Sequence, residues 1–274
     1  MDLLTVTRAL IQSLGLGSDI NSFLILFALS MGRIAMAVSL SPFLGGRAAA
    51  SPIKMGLSAL LALLLMPSLR ASTSLTQISA LLFVGLLLKE LTVGLTIGVL
   101  SQLIFYAVQT AGALVDTARG MDQPGLTTPQ LQSNASVLAQ FKFQFALVLF
   151  LTLNGHLIYL HGLVSSFHQI PVDGVAHFNS HVVVARLVLL SGQIFVVALQ
   201  LAAPVLGTLF LVDVCFAALS KVAPRINVYS ESQPVKAWVG LAVVFLSIGL
   251  VGTQLPGVLN AFLADVYRFV AGLA

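Results

Sequence analysis

Charged side chains are scarce in this sequence. Its 13 Lys and Arg and 9 Asp and Glu make up 8% of 274 residues, against about 25% in an ordinary soluble domain. So few charges cannot give a soluble chain of this size a water-facing surface. The composition also excludes disorder, collagen, a coiled coil and a disulfide scaffold. Cys215 is the single cysteine, which rules out an internal disulfide and any multi-cysteine metal site. The acidic residues show no paired arrangement suited to hydrolysis, and G-x-S-x-G, H-E-x-x-H and P-loop motifs are all missing. His177 and His181 have the i,i+4 spacing of a metal clamp, but no acidic or cysteine ligand is near, and Asn179-Ser180 favour an exposed loop. His156 and His161 read as packing residues on an apolar helix. No enzyme, cofactor or metal is expected. The net charge is +4, yet Lys and Arg fall singly rather than in a patch, so no nucleic-acid partner is expected. The N-terminus lacks the features of a signal peptide: Asp2 stands where a basic region belongs, and Arg8 interrupts the apolar run.

What is present is apolar: 58% of the residues are hydrophobic. That leaves an integral membrane protein, or a subunit covered by partners on almost every side. The length suits six or seven membrane-length helices, expected as one domain over residues 1–274. Apolar stretches run from Asn21 to Leu40 and from Pro52 to Leu65, the latter closed by Pro67. Others run from Gln77 to Val115, Val137 to Phe167, and His181 to Leu219 with Pro204 inside. A polar connector, Ser220–Gln233, precedes Val235–Val251 and an amphipathic tail after Pro256. No strand alternation occurs, and the fold class is all-α.

Two of these stretches are too long for simple spans. Gln77 to Val115 as one helix would measure about 58 Å, against about 30 Å of hydrocarbon. Either such segments fold as tight hairpins, or long helices project beyond the bilayer into an assembly, and the charges inside them favour the second. Arg33, Lys89, Glu90, Lys142, Arg186 and Asp213 lie inside apolar stretches. A charge facing lipid at mid-bilayer costs about 2.5 kcal/mol or more, so each should face protein or water. Loop charges do not fix the orientation: Arg47, Lys54, Lys221, Arg225 and Lys236 favour an outside N-terminus, and the loop at Asp116–Ser136 contradicts it.

Lys89-Glu90 is an adjacent opposite pair inside one helix. It fits either an intersubunit salt bridge or a local ion pair with neighbouring helices. Glu90, Gly94 and Gly98 share a face at spacing four, a small-xxx-small surface extended by Ala107 and Ala111. Lys89, Glu90, Gly94, Gly98, Asp213, Arg225 and Lys236 are the candidates for intersubunit packing and charge pairing. Asp116–Ser136 is a 21-residue polar loop between two apolar helices, and such loops are commonly either functional or disordered external loops. Asp116 and Arg119 are spaced to pair at i,i+3.

Several motifs in order resemble one family. They are Arg33, Ser41-Pro42-Phe43-Leu44, Ser51-Pro52-Ile53-Lys54, Leu88-Lys89-Glu90-Leu91-Thr92-Val93-Gly94 and Ala111-Gly112-Ala113-Leu114-Val115-Asp116. Asn154-Gly155-His156, Ser166-Phe167 with Ile170-Pro171, Val222-Ala223-Pro224-Arg225-Ile226-Asn227 and Pro234-Val235-Lys236 follow. Together they resemble FliR/SctT, a core subunit of the export apparatus of flagella and type III secretion systems. Asp116 to Gly120 and Phe43 to Gly46 lean to the virulence-type secretion branch, whereas Asn154-Gly155-His156 is nearer the flagellar one. Arg225 departs from both, since Gln is commoner there.

The resemblance implies an inner-membrane subunit in a spiral complex with FliP/SctR-like and FliQ/SctS-like partners, much of it projecting on the periplasmic side. A FlhB/SctU-like switch protein would sit at the cytoplasmic face. The subunit would form part of a gated channel for unfolded secreted proteins, in contact with membrane lipid. The loop after Gly120 would act as a plug, with Arg119, Gly120, Met121, Gly125 and Leu126 as its candidate residues. An ion-coupled secondary transporter is the alternative, using Lys89, Glu90, Arg186 and Asp213, although no internal repeat supports it.

Overall fold

Long apolar runs with few internal breakers fold into long helices. The computed structural model describes residues 20–46, 49–72, 79–121, 136–174, 180–223 and 227–271. Among them lie seven helices and no strand: α1 (Ile20–Leu40), α2 (Ser51–Ser72), α3 (Ala80–Ala118), α4 (Val137–Thr152), α5 (Gly155–Gln169), α6 (Ser180–Val222) and α7 (Val228–Ala271). The all-α, membrane-type architecture holds. Among the described residues, five segments are long and apolar enough to cross a membrane, in α1, α2, α3, α6 and α7; α4 and α5 together make a sixth if counted as one span.

Ala80 to Ala118 form one unbroken helix, α3, of 39 residues, the long-helix alternative rather than the hairpin. The boundaries differ from the sequence reading in four places. Pro67, Pro204, Pro234 and Pro256 lie inside helices instead of ending them. In long apolar helices the backbone groups freed by proline can be satisfied by neighbouring helices and hydroxyl side chains. The Ser220–Gln233 connector shrinks to residues 223–227, because its serines are compatible with helix: Ser220 Oγ donates to Ala217 O at 2.7 Å, and Ser230 Oγ to Asn227 O at 3.0 Å. Val137 to Phe167 is broken. Leu153 caps α4, Asn154 takes φ +57°, and Gly155 opens α5 against the Phe150 ring, where a Cβ would sit 2.3 Å from the ring edge. His181 lies in the first turn of α6 rather than in a loop, and His177 falls outside the described residues.

The chain divides into two compact units that interleave in sequence. The first gathers α1, α2, α3 as far as Gln102, and α5 from His156 with the turn that follows it. Its interior is built from Leu29, Ile34 and Val38 of α1, Met66 of α2, Val93 and Leu100 of α3, and Leu163 of α5, all fully buried or nearly so. The C-terminal carbonyls of α1, which have no partner within their helix, find side chains. Tyr159 Oη donates to Ala37 O at 3.0 Å and Gln102 Nε2 donates to Leu40 O. Phe43 meets the Tyr159 ring edge-on at 4.8 Å.

The second unit takes α3 from Leu103, then α4, α6 from Leu187, and α7 as far as Phe262. Phe105 is its aromatic centre, edge-on to Phe143 at 6.0 Å and to Phe150 at 5.4 Å. Ala198, Ala202, Val205 and Leu209 of α6 are also buried. Large apolar side chains stand exposed on several helices, among them Leu81 and Leu88 of α3, Phe195 and Phe210 of α6, and Trp238 and Phe245 of α7.

Candidate functional site

A charge placed inside an apolar helix is stable only where another helix brings it a partner. The first unit does this for Arg33, which is fully buried. Its guanidinium grips Glu90 with two parallel bonds, Nε to Oε2 at 2.6 Å and Nη2 to Oε1 at 2.9 Å. Such fork-to-carboxylate pairing is the strongest form of side-chain ion pair. The remaining donors reach α5 and the turn after it: Nη1 donates to Ser166 Oγ at 3.2 Å and Nη2 to Ile170 O at 2.8 Å. Phe167 stacks on the guanidinium, its ring centre 4.2 Å from Cζ. Lys89 approaches the same carboxylate, Nζ to Oε1 at 3.0 Å. Lys89 and Glu90 therefore take intrachain partners on α1 and the α5–α6 turn.

Gly94 and Gly98 make the crossing of α1 and α3 possible. A Cβ on Gly94 would lie 2.2 Å from Arg33 O, and one on Gly98 would lie 2.7 Å from Leu40 Cβ. Glu90 and the two glycines share the α3 face that meets α1. That face carries the ion pair and the close approach together.

The second unit holds another polar node where α3 ends. Gly120 N donates to Thr117 O and Met121 N to Asp116 O, both at 3.0 Å, with Gly120 at φ +74°. This is a Schellman stop, and its left-handed residue is suited to glycine. Asp116, in the last helical turn, is buried. Its Oδ1 takes Arg119 Nη1 at 3.0 Å, and its Oδ2 accepts from Ser136 Oγ at 2.5 Å and Leu138 N at 2.9 Å. Ser136 is also the N-cap of α4, accepting from Ala139 N at 3.0 Å. One carboxylate thus ties the end of α3 to the start of α4. Arg119 Nη2 carries the tie to Ala237 O of α7 at 3.0 Å, its stem lying where a Cβ on Gly240 would be. Gly112 lies directly against the Ala139 backbone, leaving 2.4 Å to a Cβ. Lys142 is buried one turn beyond Leu138, within electrostatic reach of Asp116, and its Nζ has no hydrogen-bond partner among the described residues.

Arg119, Gly120 and Met121 are thereby placed, with Met121 nearly half exposed; Gly125 and Leu126 lie outside the described residues. Asp213 and Lys236 form an ion pair between α6 and α7, half exposed at Asp213. Arg225 also lies outside the described residues, and nothing is described of the Arg186 side chain. The roles of Ser166, Gly112 and Gly240 were not read from the sequence. Gly112 and Ser166 lie in family motifs, but Gly240 carries no local signal.

An Asp116→Asn variant should lower stability by about 3 kcal/mol, since Arg119 and Lys142 then face no anion in a buried site. Thermal unfolding of the purified protein, with protease cleavage between α3 and α4, would measure it. An unchanged midpoint would remove Asp116 as the tie.

Residues 24–261 match the family described as bacterial export proteins, family 1. The chain belongs to that family. The flagellar biosynthetic protein FliR of Pectobacterium carotovorum subsp. carotovorum is 30% identical over 88% of this chain and 89% of its own. FliR of Escherichia coli strain K12 is 29% identical over 81% and 84%. The surface presentation of antigens protein SpaR of Shigella flexneri is 28% identical over 83% and 87%. Relatives from both branches match at nearly equal identity, so the lean toward the virulence branch gains no support. This member of the export family is a multi-helix inner-membrane protein. The transporter alternative has no support among these relatives.

Proposed function

We propose that the chain is a core subunit of a type III export apparatus, flagellar or injectisome, and forms part of its gated channel for unfolded substrates. Family membership over residues 24–261 carries this reading. A second observation favours work within a hetero-oligomer. Exposed large apolar side chains run along α6 from Val188 to Val222, about 51 Å of helix, against about 30 Å of hydrocarbon. Lipid covers only part of that length, and the rest calls for apolar helices of other subunits. FliP/SctR-like and FliQ/SctS-like proteins are the partners proposed, with projection toward the periplasm and a FlhB/SctU-like protein at the cytoplasmic face. The role is that of a structural component rather than an enzyme. The segment from Arg119 to Asn134 serves as a plug, and Arg119 at its start and Ser136 just beyond its end are both bound to Asp116.

Co-expression with and without the two helical partners tests the assembly. The chain should accumulate as a monodisperse species only with them; equal recovery alone would sink the reading. In the same complex, deletion of Met121–Gln130 should raise ion leakage across membranes while assembly persists. Unchanged leakage would dismiss the plug.

A further inference from the structure

The turn that follows α5 is folded around positive charge. Of its carbonyls, Ile170 O accepts from Arg33, while Pro171 O, Val172 O and Gly174 O all converge on Lys89 Nζ, at 2.6, 2.9 and 2.9 Å. Glu90 Oε1 is a fourth oxygen around the same nitrogen, at 3.0 Å. An ammonium has only three N–H donors. Four oxygens at these distances exceed one linear hydrogen bond per donor, so one N–H is shared between two oxygens or one contact is that of oxygen with an ion. The set also suits one class of ion. Its distances exceed the roughly 2.3–2.6 Å of calcium and about 2.0–2.1 Å of magnesium, and its one carboxylate is already shared with Arg33. A singly charged cation of ammonium or potassium type fits.

Charge balance supports the same reading. Glu90 pairs with both Arg33 and Lys89, and Asp173 acts on Lys89 from the turn itself. Both cations lie at the C-terminal end of α5, where the helix dipole and terminal carbonyls are negative. Pro171 has no N–H to offer a competing contact. Val172 is buried, whereas Pro171 is exposed and Gly174 half-buried, so the cage is shielded from water on one side only.

We propose that Pro171 O, Val172 O, Gly174 O and Glu90 Oε1 form a monovalent-cation site, occupied by the tethered ammonium of Lys89, that holds the turn between α5 and α6 in place. Lys89 is a positioning residue that acts through its charge rather than its stem. The proposal rests on the first unit alone and stands apart from the channel reading. Once the tether is cut, free ammonium or potassium should fill the cage.

The experiment uses the full chain in its purified complex, as wild type, Lys89→Ala and Lys89→Met. Proteolysis at the 170–174 turn is followed in ammonium, potassium or tetramethylammonium chloride, each at about 0.2 M so that screening is equal. In tetramethylammonium, Lys89→Ala should be cleaved about tenfold faster than wild type, and in ammonium or potassium it should return to within about twofold. Lys89→Met, whose stem fills the cage without charge, should stay fast in every salt, and wild type should respond to none. Equal cleavage of Lys89→Ala and wild type in tetramethylammonium would overturn the proposal. So would fast cleavage of Lys89→Ala in all three salts with the complex intact. If Lys89→Ala does not accumulate, acetylation of the wild-type complex decides. Lys89 should react at least about tenfold more slowly than the exposed Lys221, and equal rates would overturn the cage.

Discussion

Glu90→Ala is expected to cost about 3–5 kcal/mol, a large share of the roughly 5–15 kcal/mol that holds a domain folded. The substitution strands the Arg33 guanidinium, which has no access to solvent and loses both bonds to the carboxylate. Lys89 loses its anionic contact at the same time. Volume is not the issue, so Glu90→Gln should be nearly as harmful: it fills the space but leaves the same charge uncompensated. An Arg33→Met, Glu90→Met double variant should recover part of the loss, because an apolar pair carries no buried charge. Recovery should be incomplete, since Ser166 Oγ and Ile170 O lose a donor. Resistance of the detergent-purified complex to heat is the measurement. A Glu90→Gln protein within about 1 kcal/mol of wild type would show that the pair is not a structural tie.

Gly94→Leu should prevent α1 and α3 from crossing and abolish recovery of folded protein. Even Gly94→Ala places a Cβ 2.2 Å from Arg33 O and 2.9 Å from two further backbone atoms. Backbone cannot swing aside as a side chain can, so the helices must separate, at a cost of about 1–3 kcal/mol or more. Separation would also pull Arg33 from Glu90, adding the first loss to the second. Gly98→Ala should be milder, because its nearest contact, Leu40 Cβ, would be at 2.7 Å rather than 2.2 Å. Gly85, on the same helix, has open space around it, and Gly85→Ala should be neutral or stabilising by about 0.4–1 kcal/mol. Yield and melting temperature across these three alanine variants give the order directly. Gly94→Ala behaving like Gly85→Ala would contradict the close crossing.

Helix identity was legible because apolar runs of this length leave little else for the backbone to do. Breaks were harder to read. Pro67, Pro204 and Pro256 look like terminators, yet each sits inside a helix, where neighbours can relieve a lost backbone bond. Asn154 and Gly155 do break a helix, although no proline marks the place. The Asp116–Arg119 pair was readable from i,i+3 spacing. Glu90 was visible as a charge needing a partner, but Arg33 stands 57 positions away, and no local pattern joins them. The same holds for Gly240, whose only reason to be glycine is the Arg119 stem lying against it.

The separation of the Arg33 partners along the chain has a consequence for synthesis. α1 emerges from the ribosome before any of the Arg33 partners, with an uncompensated guanidinium, and insertion of that charge into lipid costs about 2.5–3.5 kcal/mol. Glu90 follows 57 residues later, and Ser166 and Ile170 follow at 133 and 137. At about 5–20 residues per second, the carboxylate arrives roughly 3–11 s after Arg33, and the α5 turn roughly 7–27 s after it. During that interval α1 is held less firmly than its hydrophobicity suggests. Among the described residues, the earliest spanning helix is thus one whose final seat depends on sequence not yet translated when it enters the membrane.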